Sequence, residues 1–198
     1  LWNKGSTSNL DFSYLELDEY KSEILKNLIL KNVTMKNELK ILNIGNLNVL
    51  FSKIMADEGH KVTLIRPTYK SINEAKQKLN KFKVEVDFRI MDKNALDFED
   101  KTFDLIISSK ITWQLQGPGA AFREWKRVLK DDGTLIYFDS SRDLDLYSEG
   151  RPSLDREILK RCGFLSVEID RNIYKKVWND KEVIPFKPKS IFMVVAKQ

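Results

Sequence analysis

A mostly parallel α/β sheet with helices on both faces is the fold this sequence predicts, and three observations predict it. Short β-branched runs recur along the chain, segments with helical spacing of apolar residues separate them, and no internal repeat or low-complexity block interrupts the alternation. Strands linked by helices are parallel neighbours, and helices then cover both sides of the sheet.

The elements follow in order. Leu17, Tyr20, Ile24 and Leu28 recur at helical spacing until the polar stretch 32–38, so an amphipathic helix precedes the first strand. Strand 40–44 is followed by a helix through Leu50, Ile54 and Met55, and strand 61–65 by a helix through Ile72, Ala75 and Leu79. Strands 84–90 and 103–108 come next, then a helix through Ala121, Trp125 and Val128 with Trp125 on its core face, then strand 134–139. The last third changes rhythm. A helix over 154–162, capped by Ser153 and stopped by Gly163, leads to strand-like runs at 165–170 and 190–196. Between those runs, 172–189 is rich in Lys and aromatics, holds Pro185 and Pro188, and is too long for a tight hairpin, so an excursion is expected there. The domain plan is an N-terminal segment with its helix, 1–38, covering the cleft, and a single globular domain, 39–198.

Composition removes several classes. With 198 residues, 42% hydrophobic and 32% charged, and only 8 Gly and 5 Pro, the chain is long enough to bury a core and is neither collagen-like nor disordered. The single Cys162 pairs with no second cysteine in the chain, and the lone His60 adds no zinc-ligand spacing, so disulfide scaffolds and zinc modules are out. The apolar run 191–196 is far shorter than the roughly 20 residues a membrane span needs. Residues 1–9 carry no basic-then-apolar signal pattern, and the expected location is a reducing cytoplasm. A net charge of +5 comes from 34 basic residues interleaved with 29 acidic ones, which describes a solvated lysine-rich surface better than a nucleic-acid footprint.

The string Ile41-Leu42-Asn43-Ile44-Gly45, the turn Gly59-His60-Lys61-Val62-Thr63 and the blocks Met91-Asp92, Leu96-Asp97-Phe98 and Phe103-Asp104-Leu105-Ile106-Ile107-Ser108 occur in that order. Arg123-Glu124-Trp125-Lys126-Arg127-Val128-Leu129-Lys130 then runs into Gly133-Thr134-Leu135-Ile136-Tyr137-Phe138-Asp139. Together they resemble the small-molecule branch of the class I S-adenosylmethionine-dependent methyltransferases, over residues 39–139. The resemblance implies a Rossmann-like, mostly parallel seven-stranded sheet with an antiparallel last strand, and S-adenosylmethionine as cofactor. It also implies a cofactor-binding set of Asn43, Gly45, Arg66, Asp92, Ser108 and Trp113, with no metal.

Two positions depart from that family's pattern. Its first turn reads D-x-G-x-G-x-G, whose glycines let backbone approach the cofactor; here the turn reads Asn43, Gly45, Leu47, Val49, and Val49 is costly wherever positive φ is required. At the end of the second strand the family places a carboxylate that accepts from both ribose hydroxyls, and this chain has Arg66. Guanidinium is all donor and no acceptor, so each lost charge-assisted bond costs about 1.5–3 kcal/mol. Asp92 is either an adenine contact or a turn carboxylate, and Trp113, in a loop near Ser108, Ser109 and Thr112, is either a pocket wall or core. Asp139, Ser140 and Ser141 follow the fifth strand at the ligand-binding edge of such sheets. A dinucleotide site reading Arg66 as a 2′-phosphate partner lacks its glycine fingerprint. His60 reads as a structural turn residue and Cys162 as a small core residue.

The expectation is a methyltransferase-like protein with an eroded S-adenosylmethionine site, acting as a non-catalytic binding or regulatory subunit. The alternative is an active methyltransferase on a small molecule with a divergent pocket. A protein partner or small-molecule substrate is expected and a membrane is not. Nucleic acid is disfavoured, its one support being Lys175, Lys176, Lys181, Lys187 and Lys189 among Tyr174, Trp178 and Phe186.

Overall fold

The computed structural model describes residues 19–34, 36–45, 49–109, 115, 117–140, 151–177 and 191–198. Seven strands form one sheet: β1 Lys40–Gly45, β2 Lys61–Arg66, β3 Asp87–Ile90, β4 Phe103–Ser109, β5 Leu129–Ser140, β6 Ser166–Asp170 and β7 Ile191–Lys197. Their order is β3-β2-β1-β4-β5-β7-β6, and β7 alone runs antiparallel to its neighbours, as the sequence led us to expect. Among the described residues six α-helices accompany them: α1 Glu19–Leu30, α2 Leu50–Asp57, α3 Tyr69–Leu79, α4 Pro118–Val128, α5 Ser153–Arg161 and α6 Ile173–Val177.

Alternation along each strand sorts the core into two layers. Ile41, Leu105, Ile107, Ile136, Phe138, Met193 and Val195 pack under α1, α2 and α6, with Phe51 of α2 stacked 4.9 Å from Phe138. Leu42, Ile106, Leu135, Tyr137, Phe192 and Val194 face α4 and α5, where Phe122 meets Trp125 edge-on at 5.4 Å. Trp125 is fully buried, as its place on the apolar face of α4 requires.

The helix boundaries correct two expectations. Ser153 is not the cap of α5: Pro152 occupies that position without a side-chain bond, and the Ser153 hydroxyl accepts from Arg171. Gly163 does end α5, at φ +93, which only glycine adopts cheaply. The third strand starts at Asp87 rather than 84, because a short 3-10 turn at Asn80–Phe82 and the left-handed Lys83 carry the chain past the first point of pairing, Thr63 with Asp87. Most of the expected excursion, 178–190, lies outside the described residues, and 173–177 form α6.

At the amino edge of the sheet, Asp104 is nearly buried and gathers Lys36 at 2.6 Å, Lys130 at 2.9 Å and the Lys40 N–H at 2.9 Å. Burial alone would raise its pKa, but these donors win and bring it down to about 2. The folded-state pKa is thus below the unfolded one, so the stabilisation is complete above about pH 4 and is lost as pH falls towards 2. Asp104→Asn is therefore expected to cost about 2 kcal/mol at pH 7 and to lose most of that difference near pH 2. Urea melts of both proteins across that range check it, and a gap independent of pH would refute the ion-pair origin.

Candidate functional site

In an open parallel sheet, ligands bind at the carboxyl ends of strands where the strand order reverses. Here that place lies between β1 and β4, with Gly45 in register with Ser109. A Cβ on Gly45 would sit 3.3 Å from the Ser109 carbonyl oxygen, so glycine is set there by the closeness of β4 and not by a left-handed φ. Asn43, two residues back, is buried and donates to the Ser52 hydroxyl of α2 at 2.7 Å, tying the strand to the helix that follows it. Ser108 is fully buried, and its hydroxyl has no hydrogen-bond partner among the described residues.

Arg66 ends β2 on the same edge and is 2% exposed. Its Nη1 donates to the Ile65 carbonyl at 3.0 Å, and burial pulls its pKa down to about 10. Val49 precedes α2 with φ −95, so the feared strain at that position does not arise; its side chain packs instead with Leu64, Ala75 and Leu79 of β2 and α3. Leu47, Thr112, Trp113 and Ser141 lie outside the described residues.

Asp92 is exposed on the loop after β3, where its Oδ1 accepts from both the backbone N–H and the side-chain amide of Asn94 at 2.9 Å. That is the turn geometry the sequence allowed for this carboxylate. The loop is held by α4. Trp125 Nε1 donates to the Lys93 carbonyl at 2.8 Å, and Glu124 accepts from the Leu96 N–H at 2.9 Å. Arg127 donates to the Leu96 and Phe98 carbonyls and to Asp100. Glu124, Trp125 and Arg127 thus form a clamp that holds the loop following Asp92.

Residues 42–137 match the family model described as a methyltransferase domain. By this match, residues 42–137 are similar to a methyltransferase domain. Its fold is shared with a SAM-dependent methyltransferase from Aquifex aeolicus, 22% identical with TM-score 0.63, covering 93% of this chain and 95% of that one. The cyclase SpnF is similar too, with TM-score 0.67 and 17% identity over 88% of this chain and 80% of its own. So is a phosphoethanolamine N-methyltransferase from Haemonchus contortus bound to S-adenosyl-L-methionine, with TM-score 0.65 and 15% identity over 94% of this chain and 59% of that one. No curated protein shows significant sequence similarity to the chain.

The same sheet edge carries a polar cluster that the sequence did not reveal. Tyr137 on β5 is fully buried and donates to Asp155 of α5 at 2.9 Å. Arg151 reaches both carboxyl oxygens of Asp155 and, at 3.4 Å, Asp139 at the end of β5, while its guanidinium lies 5.5 Å from the Phe192 ring centre. Burial and the Asp155 charge push the Tyr137 pKa well up, so the phenol stays protonated and donating. Only the four-residue spacing of Arg151 and Asp155 hinted at the cluster, and that spacing is also usual for surface pairs. His60 lies at the opposite, amino edge, where Nδ1 accepts from the Leu39 N–H at 3.5 Å, so it stands apart from the crevice. The half-buried Cys162 donates to the Gly119 carbonyl at 3.3 Å, and burial pushes its thiol up, away from thiolate chemistry. Among the described residues no cluster of metal-ligating side chains occurs, and no helix is long and apolar enough to cross a membrane.

Proposed function

We propose that this chain is a methyltransferase-family domain with an eroded S-adenosylmethionine site, working in the cytoplasm as a non-catalytic binding or regulatory subunit. One observation carries the reading: the buried Arg66 at the tip of β2. The ribose diol offers two hydroxyl hydrogens to that position, and a guanidinium has no lone pair to receive them. Burial sharpens the mismatch, because hydroxyls moved out of water without an acceptor lose about 1–3 kcal/mol each. The residues present therefore do not fit the adenosyl ribose, and no methyl-transfer step is derived for this chain. The family's fold also does not dictate methyl transfer, as its occurrence in a protein named as a cyclase illustrates. The N-terminal segment is taken to cover the cleft, with a protein partner or a small molecule as the ligand.

The reading favoured by Gly45 and by the retained Asp92 turn is an active enzyme with a divergent pocket acting on a small molecule. Calorimetry separates the two. Titrating the full chain with S-adenosylmethionine or S-adenosylhomocysteine is expected to give no saturable heat in the micromolar range, and clear saturation there would reinstate the enzyme.

A further inference from the structure

The amino edge of the sheet, opposite the crevice, carries a surface that neither the fold nor the family reading accounts for. Leu165, at the entry to β6, is 82% exposed. Its N–H bonds to the Lys197 carbonyl at 2.9 Å, and the next residue, Ser166, pairs with Lys197 across β6 and β7. Lys160 and Arg161 are exposed at the end of α5, four or five residues before it. Lys126 stretches from α4 over Gly163 and bonds the Gln198 amide oxygen at 2.9 Å. Lys160, Arg161, Lys126 and Lys197 make no ion pair with any described residue, whereas Arg127 and Lys130 of the same region are paired with Glu124 and Asp104. Two exposed acids lie on the same elements, Glu157 on α5 and Glu168 on β6.

Cations at the end of α5 complement its dipole, but that explains only Lys160 and Arg161, since Lys126 and Lys197 come from another helix and from a strand. An exposed leucine on a segment adjoined by four cations that form no ion pair among the described residues has the plan of a small interface, with an apolar centre and a charged rim. We propose that this surface docks a partner protein that presents acidic side chains around an apolar one. Complementary charge selects the acidic partner. The aliphatic centre selects protein over nucleic acid, because single strands are gripped by aromatic faces, and none lies among these residues. The surface is independent of whether the crevice binds an adenosyl ligand, so a partner docked here leaves the carboxyl edge open.

The test uses the full chain and a short fluorescein-labelled peptide of Glu and Leu, with a thymidine oligonucleotide of equal charge as competitor, followed by anisotropy. The peptide is expected to bind at low salt, and reversing two charges in K160E/R161E is expected to weaken it about tenfold or more. Leu165→Ser is expected to weaken it several-fold with the salt dependence unchanged. Thermal melts confirm that the variants fold. No peptide binding, equal binding of the oligonucleotide, or full binding by the folded charge-reversal variant would each overturn the proposal.

Discussion

Replacing Arg151 with methionine is expected to destabilise the protein by about 3–5 kcal/mol, the largest loss from any single side chain in the cluster beside the crevice. The side chains of Arg151, Asp139 and Asp155 are 6%, 1% and 7% exposed, so the carboxylates left behind are out of water and cannot recover hydration. Methionine keeps the apolar stem against Phe192, which isolates the lost charge from lost packing. For a chain of this size the melting temperature should fall by roughly 10 °C. Tyr137→Phe should cost only about 1–2 kcal/mol, because Asp155 retains its three hydrogen bonds from Arg151. Replacing the charges together, as R151M/D155L/D139N, should recover most of the loss, since a buried network exchanged whole for apolar groups is often neutral. Urea denaturation decides the matter: an Arg151→Met loss under about 1 kcal/mol would show that the guanidinium contributes no net pairing energy.

That cluster marks where sequence reading stops. Strands and helices follow from local periodicity, whereas the antiparallel last strand and the site set Gly45, Arg66 and Ser108 came only from the family resemblance. The pairing of Tyr137 with Asp155 depends on how α5 returns across the sheet, which no local pattern encodes. Local signals also misled in small ways. Val84 and Val86 continue the alternation of Phe88, yet only residues from Asp87 onward reach β2, because pairing and not pattern ends a strand. Ser153 has the chemistry of a cap, but the chain enters α5 one residue earlier, through Pro152. At Val49 the penalty attached to positive φ never applied, since α2 begins from φ −95 and the valine fills a core gap. The clamp by Glu124, Trp125 and Arg127 was visible as a motif, but its purpose, holding the loop following Asp92, needed the fold.

Arg66→Asp is the substitution expected to change ligand binding most. A carboxylate at the tip of β2 supplies acceptors for two ribose hydroxyls, and at about 1.5–3 kcal/mol per charge-assisted bond the gain is at least tenfold for each bond formed. In the unliganded variant that carboxylate is buried where Arg66 now lies, so the apoprotein should melt lower than the parent and S-adenosylhomocysteine should restore much of the difference. Adding L47G and V49G restores the family's glycines but removes a side chain that packs on Leu64, Ala75 and Leu79, so the triple variant should be less stable than R66D alone. The control is Arg66→Leu, which removes the cation and supplies no acceptor. If charge alone obstructs the site, Leu and Asp should bind S-adenosylhomocysteine equally well; if the missing acceptor is the defect, only Asp should gain. Calorimetry on the folded variants distinguishes these outcomes, and no gain in either one would place the obstruction beyond Arg66 and refute the part assigned to it.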